Sequence, residues 1–202
     1  LARDIYRTLY DLWGHATFAN IARAEQTHMD AVKTLLDRYD VAAPVDDAAG
    51  TFANSELQGL YDSLVAQGSE SLVSALRVGA LIEEIDILDL EGYIAGTEAA
   101  DLIRVYENLL RGSRNHLRAF SAAVARQTGE AYEPQRMGEG AYEAAIEGTP
   151  GFGGRGQRGA GNMPFEGDGR AARGNRAIRG SGNRGAGRNS APFGGWGEGV
   201  CQ

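Results

Sequence analysis

Apolar side chains recur at steps of three and four from Phe18 to Tyr39, a period that admits a helix and excludes a strand. Phe18, Ile21, Ala22, Glu25, His28, Met29, Val32, Leu35, Leu36 and Tyr39 share one face of that helix, so Glu25 and His28 are aimed into the core with the apolar residues. Burying an unpaired carboxylate costs several kcal/mol, so a core Glu needs a partner. For a Glu-x-x-His step inside a helical bundle, a metal ion is an economical one.

The same period continues along the chain. Leu1, Ile5, Leu9 and Leu12 predict a first helix that stops at Gly14, and the second runs from about Thr17 to Tyr39. A long connection broken by Pro44 and Gly50 carries a short helix from about Asn54 to Gln67. Ser69 suits the N-cap of the next helix, with Glu70 in its first turn complementing the helix dipole. That helix, to about Ala95, is apolar nearly all round and belongs in the middle of a bundle. Gly96 and Thr97 turn the chain into a last long helix ending near Gln127, with Gly129 as its C-cap, and a short helix spans about Glu139 to Glu147. No stretch alternates with strand period. The expected fold is all-α: a ferritin-like four-helix bundle with one long crossover.

Two other predicted helices carry ionisable residues inward. Glu83 is the one charged member of the stripe Leu72, Leu76, Gly79, Ala80, Glu83, Ile87, Leu90 and Ile94, with Glu84 and Asp86 beside it. His116 lies on the stripe Leu102, Tyr106, Leu109, Ser113, His116 and Phe120. The candidate metal ligands are therefore Glu25, His28, Glu83, Glu84 and His116. Carboxylate and imidazole donors suit iron, manganese or zinc rather than thiolate-seeking metals. Buried hydrogen-bonded pairs, His28 with Glu83 or His116 with Glu84, are the alternative without metal.

The words LARDIYRTLYDLWG, FANIARAEQTHMDAVKTLLDRY, LQGLYDSLVAQG, ALRVGALIEEIDILDLE and YENLLRGSRNHLRAF resemble, in that order, an uncharacterised ferritin-like domain family distantly related to rubrerythrins. The resemblance spans about residues 1–146. It implies a bundle of the kind that houses a two-metal carboxylate centre holding iron or manganese, zinc less readily, and an oxidoreductase activity. In the rubrerythrin pattern the four helices supply Glu, Glu-x-x-His, Glu and Glu-x-x-His. Glu25 and His28 match the second helix, and Glu83 or Glu84 the third. In the fourth, Ser113 stands where the motif has Glu, leaving Ser-x-x-His with His116; the first helix's Glu would fall about two residues before Leu1. About four ligands remain of the roughly six that two ions need. Glu107 is no substitute, because nine residues at about 1.5 Å rise set it some 13 Å from His116.

Near Thr149 the composition changes to Gly, Arg, Asn and Ala with scattered Phe152, Phe165, Phe193 and Trp196. The expected organisation is a helical domain over residues 1–148 and a low-complexity tail over residues 149–202. Eight arginines against Glu166, Asp168 and Glu198 give the tail a net charge of +5, so a total of −7 leaves the head at −12. A segment of this composition cannot build its own core, so order in it must come from contacts with neighbouring subunits. Arginine's planar fork suits carboxylates, and tail-to-head docking is heterologous, so the expected assembly is a ring or filament of copies joined through residues 149–202. Arginine-glycine dipeptides at Arg155, Arg158, Arg173, Arg179 and Arg184 also fit RNA binding, the weaker reading given the acidic head.

No run of eighteen apolar residues exists, so no membrane span is expected. The lone Cys201 cannot form an internal disulfide. The chain opens at Leu1 already in helical register, with no readable signal peptide, and this points to residues upstream that were processed away or are missing from the sequence. A processed start, a single cysteine and an assembling tail are compatible with an extracellular or cell-surface location.

Overall fold

A computed structural model describes residues 1–43 and 48–147; the tail expected over residues 149–202, Cys201 included, lies outside the described residues. Among the described residues there are six helices and no strand: α1 Ala2–Trp13, α2 Ala16–Arg38, α3 Ser55–Gly68, α4 Leu72–Ala95, α5 Ala100–Thr128 and α6 Glu139–Glu147. No helix among them is long and apolar enough to cross a membrane.

The turns follow local chemistry. Gly14 ends α1 at φ 63°, where a side chain would be strained, and its N–H donates to the Tyr10 carbonyl. Gly129 ends α5 in the same way at φ 78°. Asn54 caps α3 by accepting from the N–H groups of Glu56 and Leu57 at 2.8 and 3.1 Å. The expected cap of α4 shifts by two residues. Ser69 instead closes α3, its hydroxyl donating to the Val65 carbonyl at 2.7 Å, and Ser71 caps α4 by accepting from Ser74 N–H at 3.0 Å. A serine beside a Glu was a good cap signal twice over, and the continuation of α3 to Gly68 decided between the two.

The core lies where α1, α2, α4 and α5 meet. Tyr6, Phe18 and Phe120, one ring each from α1, α2 and α5, pack with centroids 5.2 to 6.3 Å apart, and all three are fully buried. The contribution of α4 at this level is Gly79, where a Cβ would lie 2.5 Å from the Phe120 ring. Polar contacts hold the crossover segment against α1: Trp13 Nε1 donates to the Gly68 carbonyl at 2.9 Å, Thr8 and Tyr61 hydroxyls lie 2.8 Å apart, and Asp4 accepts from Gly50 N–H at 3.3 Å.

The stripe on α2 does not stay buried. Past Glu25, Met29 and Tyr39 are 43% and 48% exposed, and Leu35 is the one member of the stripe that is buried. Arg38 and Tyr39 tie that end of α2 to Asp101 at the start of α5, each at 2.8 Å.

Two of the leucines on α4, Leu76 and Leu88, separate core from surface, being 0% and 41% exposed. Leu76→Ala is expected to lower unfolding free energy in urea by about 2 to 5 kcal/mol, and Leu88→Ala by less than about 1 kcal/mol.

Candidate metal centre

One to two helical turns beyond the aromatic layer, the same helices present polar groups. On α2, Glu25 follows Phe18 by two turns; on α4, Glu83 follows Gly79 by one; on α5, which runs the opposite way, His116 precedes Phe120 by one. Each step returns to the same face, so the apolar packing below sets the level at which the three groups meet. Glu83 is fully buried, and Glu25 and His116 are 7% and 8% exposed.

Glu25 is the hub. Its Oε2 lies 3.3 Å from His28 Nδ1 and its Oε1 lies 3.0 Å from His116 Nδ1. The two imidazoles stack with centroids 5.4 Å apart and planes at 29°. Glu83 Oε1 is 3.5 Å from His116 Nδ1 and accepts a 2.7 Å hydrogen bond from the Tyr6 hydroxyl. The Glu25 Oε1 to His116 Nδ1 contact is close but not aligned as a hydrogen bond. Among the described residues both atoms are buried without a hydrogen-bond partner, as is Glu83 Oε2. Such orphaned groups are rare in folded interiors and call for an explanation.

The charges are strongly coupled. Burial alone would push the Glu25 carboxyl up, but contact with His116 and His28 outweighs it and brings the pKa down to about 2. Burial alone would push His116 down, and Glu83 and Glu25 outweigh it to raise it to about 10. Burial raises Glu83, and the Glu25 charge adds to that against His116. Asp86, one turn on from Glu83, is held well above the usual carboxylate range by burial and by Glu83 and Glu25.

One ligand atom each from Glu25, His28 and His116 lie within 4.8 Å of one another, so this grouping could hold a metal ion. An ion bound at roughly 2.0 to 2.2 Å spreads its ligands by up to roughly 4.3 Å. The cluster needs to tighten by about half an ångström.

Of the five sequence candidates, the structure brings together Glu25, His28, Glu83 and His116 and sets Glu84 apart. Glu84 is fully buried too, but on another face of α4, where its carboxylate accepts from the Tyr132 hydroxyl at 2.6 Å and from the N–H groups of Gln135, Arg136 and Met137 at 2.7 to 3.0 Å. Those donors consume its lone pairs and fasten the loop between α5 and α6. The paired alternatives of the sequence also resolve: His28 and His116 both contact Glu25, His116 also lies near Glu83, and Glu84 touches neither imidazole. Tyr6 was missed. A tyrosine on the buried face of α1, whose hydroxyl needed a partner somewhere in the core, was the available signal.

Residues 1–149 match the family described as an uncharacterised protein domain, DUF2202. The chain belongs to the DUF2202 family. The uncharacterised protein MJ0754 of Methanocaldococcus jannaschii is 50% identical over 147 residues, covering 72% of this chain and 79% of that protein. The crystal structure of the hypothetical protein MJ0754 from Methanococcus jannaschii DSM 2661 aligns with a TM-score of 0.70 at 48% identity, over 74% of this chain and 85% of that one. The DUF2202 match takes in every described helix and all five candidate residues.

Two outcomes are expected of the metal-free protein. A raised His116 contributes stability that is full below its unfolded pKa near 6.5 and is lost as pH rises through about 10. A depressed Glu25 contributes stability that is full above about 4.5 and is lost as pH falls through about 2. The stability contributed by Glu25 and His116 is therefore greatest between about pH 4.5 and 6.5, and the raised carboxyls of Glu83 and Asp86, which lose stability as pH climbs above their ordinary range, add to the decline on its alkaline side. The alkaline decline, followed by urea unfolding in a chelator, should be shallower in His116→Gln. Glu84→Ala is expected to destabilise by about 2 to 3 kcal/mol in urea unfolding, because the buried Tyr132 hydroxyl and Met137 N–H and the half-buried N–H groups of Gln135 and Arg136 lose their acceptor.

Proposed function

We propose that this chain is a ferritin-like metal-binding protein that holds one ion on Glu25, His28 and His116, with Glu83 completing the set, and that assembles into a higher-order, filament-type structure through residues 149–202. The metal reading is carried by one observation: Glu25 Oε1 and His116 Nδ1 lie 3.0 Å apart, buried, with neither in a hydrogen bond among the described residues. A cation between carboxylate and imidazole satisfies both. The N and O donors suit iron, manganese or zinc, and the ferritin-like resemblance favours iron or manganese.

Any of these ions would supply Lewis acidity there, and iron or manganese would add one-electron redox chemistry. The surrounding residues do the rest. Tyr6 holds Glu83 Oε1 at 2.7 Å and leaves Oε2 unengaged, and the aromatic layer of Tyr6, Phe18 and Phe120 closes one side to water. Ser113, buried one turn before His116, stands where a second ion would need a carboxylate. This favours one ion, and makes a two-metal oxidoreductase the second reading.

Assembly rests on the division of charge, +5 over residues 149–202 against −12 on the head. Arginines from one copy's tail pair with acidic helix faces of the next, a contact that propagates rather than closes as a two-fold dimer. The same acidic head disfavours RNA as the tail's partner. An assembly of this type fits an extracellular or cell-surface location.

Elemental analysis of the purified full chain is expected to give close to one equivalent of iron or manganese. Glu25→Gln and Glu83→Gln should each lower it at least tenfold, while Glu84→Gln leaves it unchanged; an equal loss in Glu84→Gln, or no metal in the parent chain, would count against the centre. Deleting residues 149–202 is expected to leave the helical domain folded by circular dichroism and to abolish filaments in electron micrographs. Filaments that persist would remove the assembly reading.

A further inference from the structure

Gly112 lies inside α5, one residue before Ser113 and one turn before His116. A glycine in a helix interior is unfavourable relative to alanine, so its place in a long helix asks for a packing reason. The reason is His28. A Cβ built at Gly112 would lie 2.5 Å from His28 Nε2 and 2.6 Å from its Cε1, against 3.8 Å from its Cδ2. The His28 ring thus lies edge-on against the α5 backbone, with Nδ1 turned to Glu25 Oε2 at 3.3 Å and its face toward His116.

We infer that Gly112 is a positioning residue of the metal centre: its missing side chain is what allows the His28 imidazole to lie against α5 within reach of Glu25 and His116. This rests on the metal-binding reading above. Real Cβ contacts essentially never fall under 3.0 Å, so any side chain here moves the ring by about half an ångström or more, the tolerance within which a metal ligand must be held. The push acts on the Nε2–Cε1 edge, so it slides the ring in its own plane and out of its stack on His116. His28 can yield at little cost to the fold, because the atoms in the way are the far end of a side chain that is 20% exposed. Stability and ligation are decoupled at this one position: alanine improves the helix and displaces the ligand.

The test uses the full chain stripped of metal, with Co(II) as the probe. Gly112→Ala is expected to melt no lower than the parent in chelator, to bind Co(II) at least tenfold more weakly, and to add no further loss in a His28→Ala background. Unchanged Co(II) affinity in Gly112→Ala, or a loss that adds in full to that of His28→Ala, would overturn it. Imidazole NMR resonances of the metal-free proteins provide a readout independent of binding. His28 should shift in Gly112→Ala while His15 stays fixed, and an unmoved His28 sinks the inference on its own. Absence of Co(II) binding by the parent chain overturns instead the metal-binding reading, and with it any role for Gly112 in a metal centre.

Discussion

The contact between Glu25 and His116 is the constraint that the rest of the helical domain accommodates. A carboxylate and an imidazole can stay buried because each offsets the other's desolvation, which lowers Glu25 to about 2 and raises His116 to about 10. Their meeting depends on the register of α2 against α5. The aromatic layer beneath fixes that register: Tyr6, Phe18 and Phe120 interlock over Gly79, and a close-packed layer of rings tolerates no slippage. Apolar packing sets the level, and the polar groups one to two turns further along inherit it.

Glu83 and Glu84 show how finely a helix divides adjacent residues. Successive positions on α4 differ by about 100° around the axis, so two equally buried carboxylates face different environments. Glu83 turns toward His116 and Tyr6 and keeps one oxygen unpartnered. Glu84 turns toward the loop that follows α5, where backbone N–H groups and the Tyr132 hydroxyl take up both of its oxygens. One carboxylate is left with capacity for an ion; the other is consumed in holding the chain.

Much of this was legible beforehand. The 3.6-residue period of apolar positions gave all six helices to within a few residues, and Glu25, His28, Glu83 and His116 stood out as polar members of apolar faces. Glu84 stood out for the same reason and went elsewhere, since periodicity reports that a residue is inward but not which inward partner it finds. The stripe on α2 also overstated burial at Met29 and Tyr39, because an apolar face is covered only where another helix reaches it.

The sequence by itself determined the helices, their turn residues and the set of ionisable groups that could not be left in solvent, because these follow from local periodicity and from the φ preference of residues such as Gly14 and Gly129. Tertiary structure alone decided which of those groups touch. It paired Glu25 with two imidazoles, gave Glu83 the Tyr6 hydroxyl, sent Glu84 to a loop fifty residues away and laid His28 against Gly112. Distances between side chains on different helices depend on the depth and register of packing, and that is a property of the assembled core rather than of any one segment.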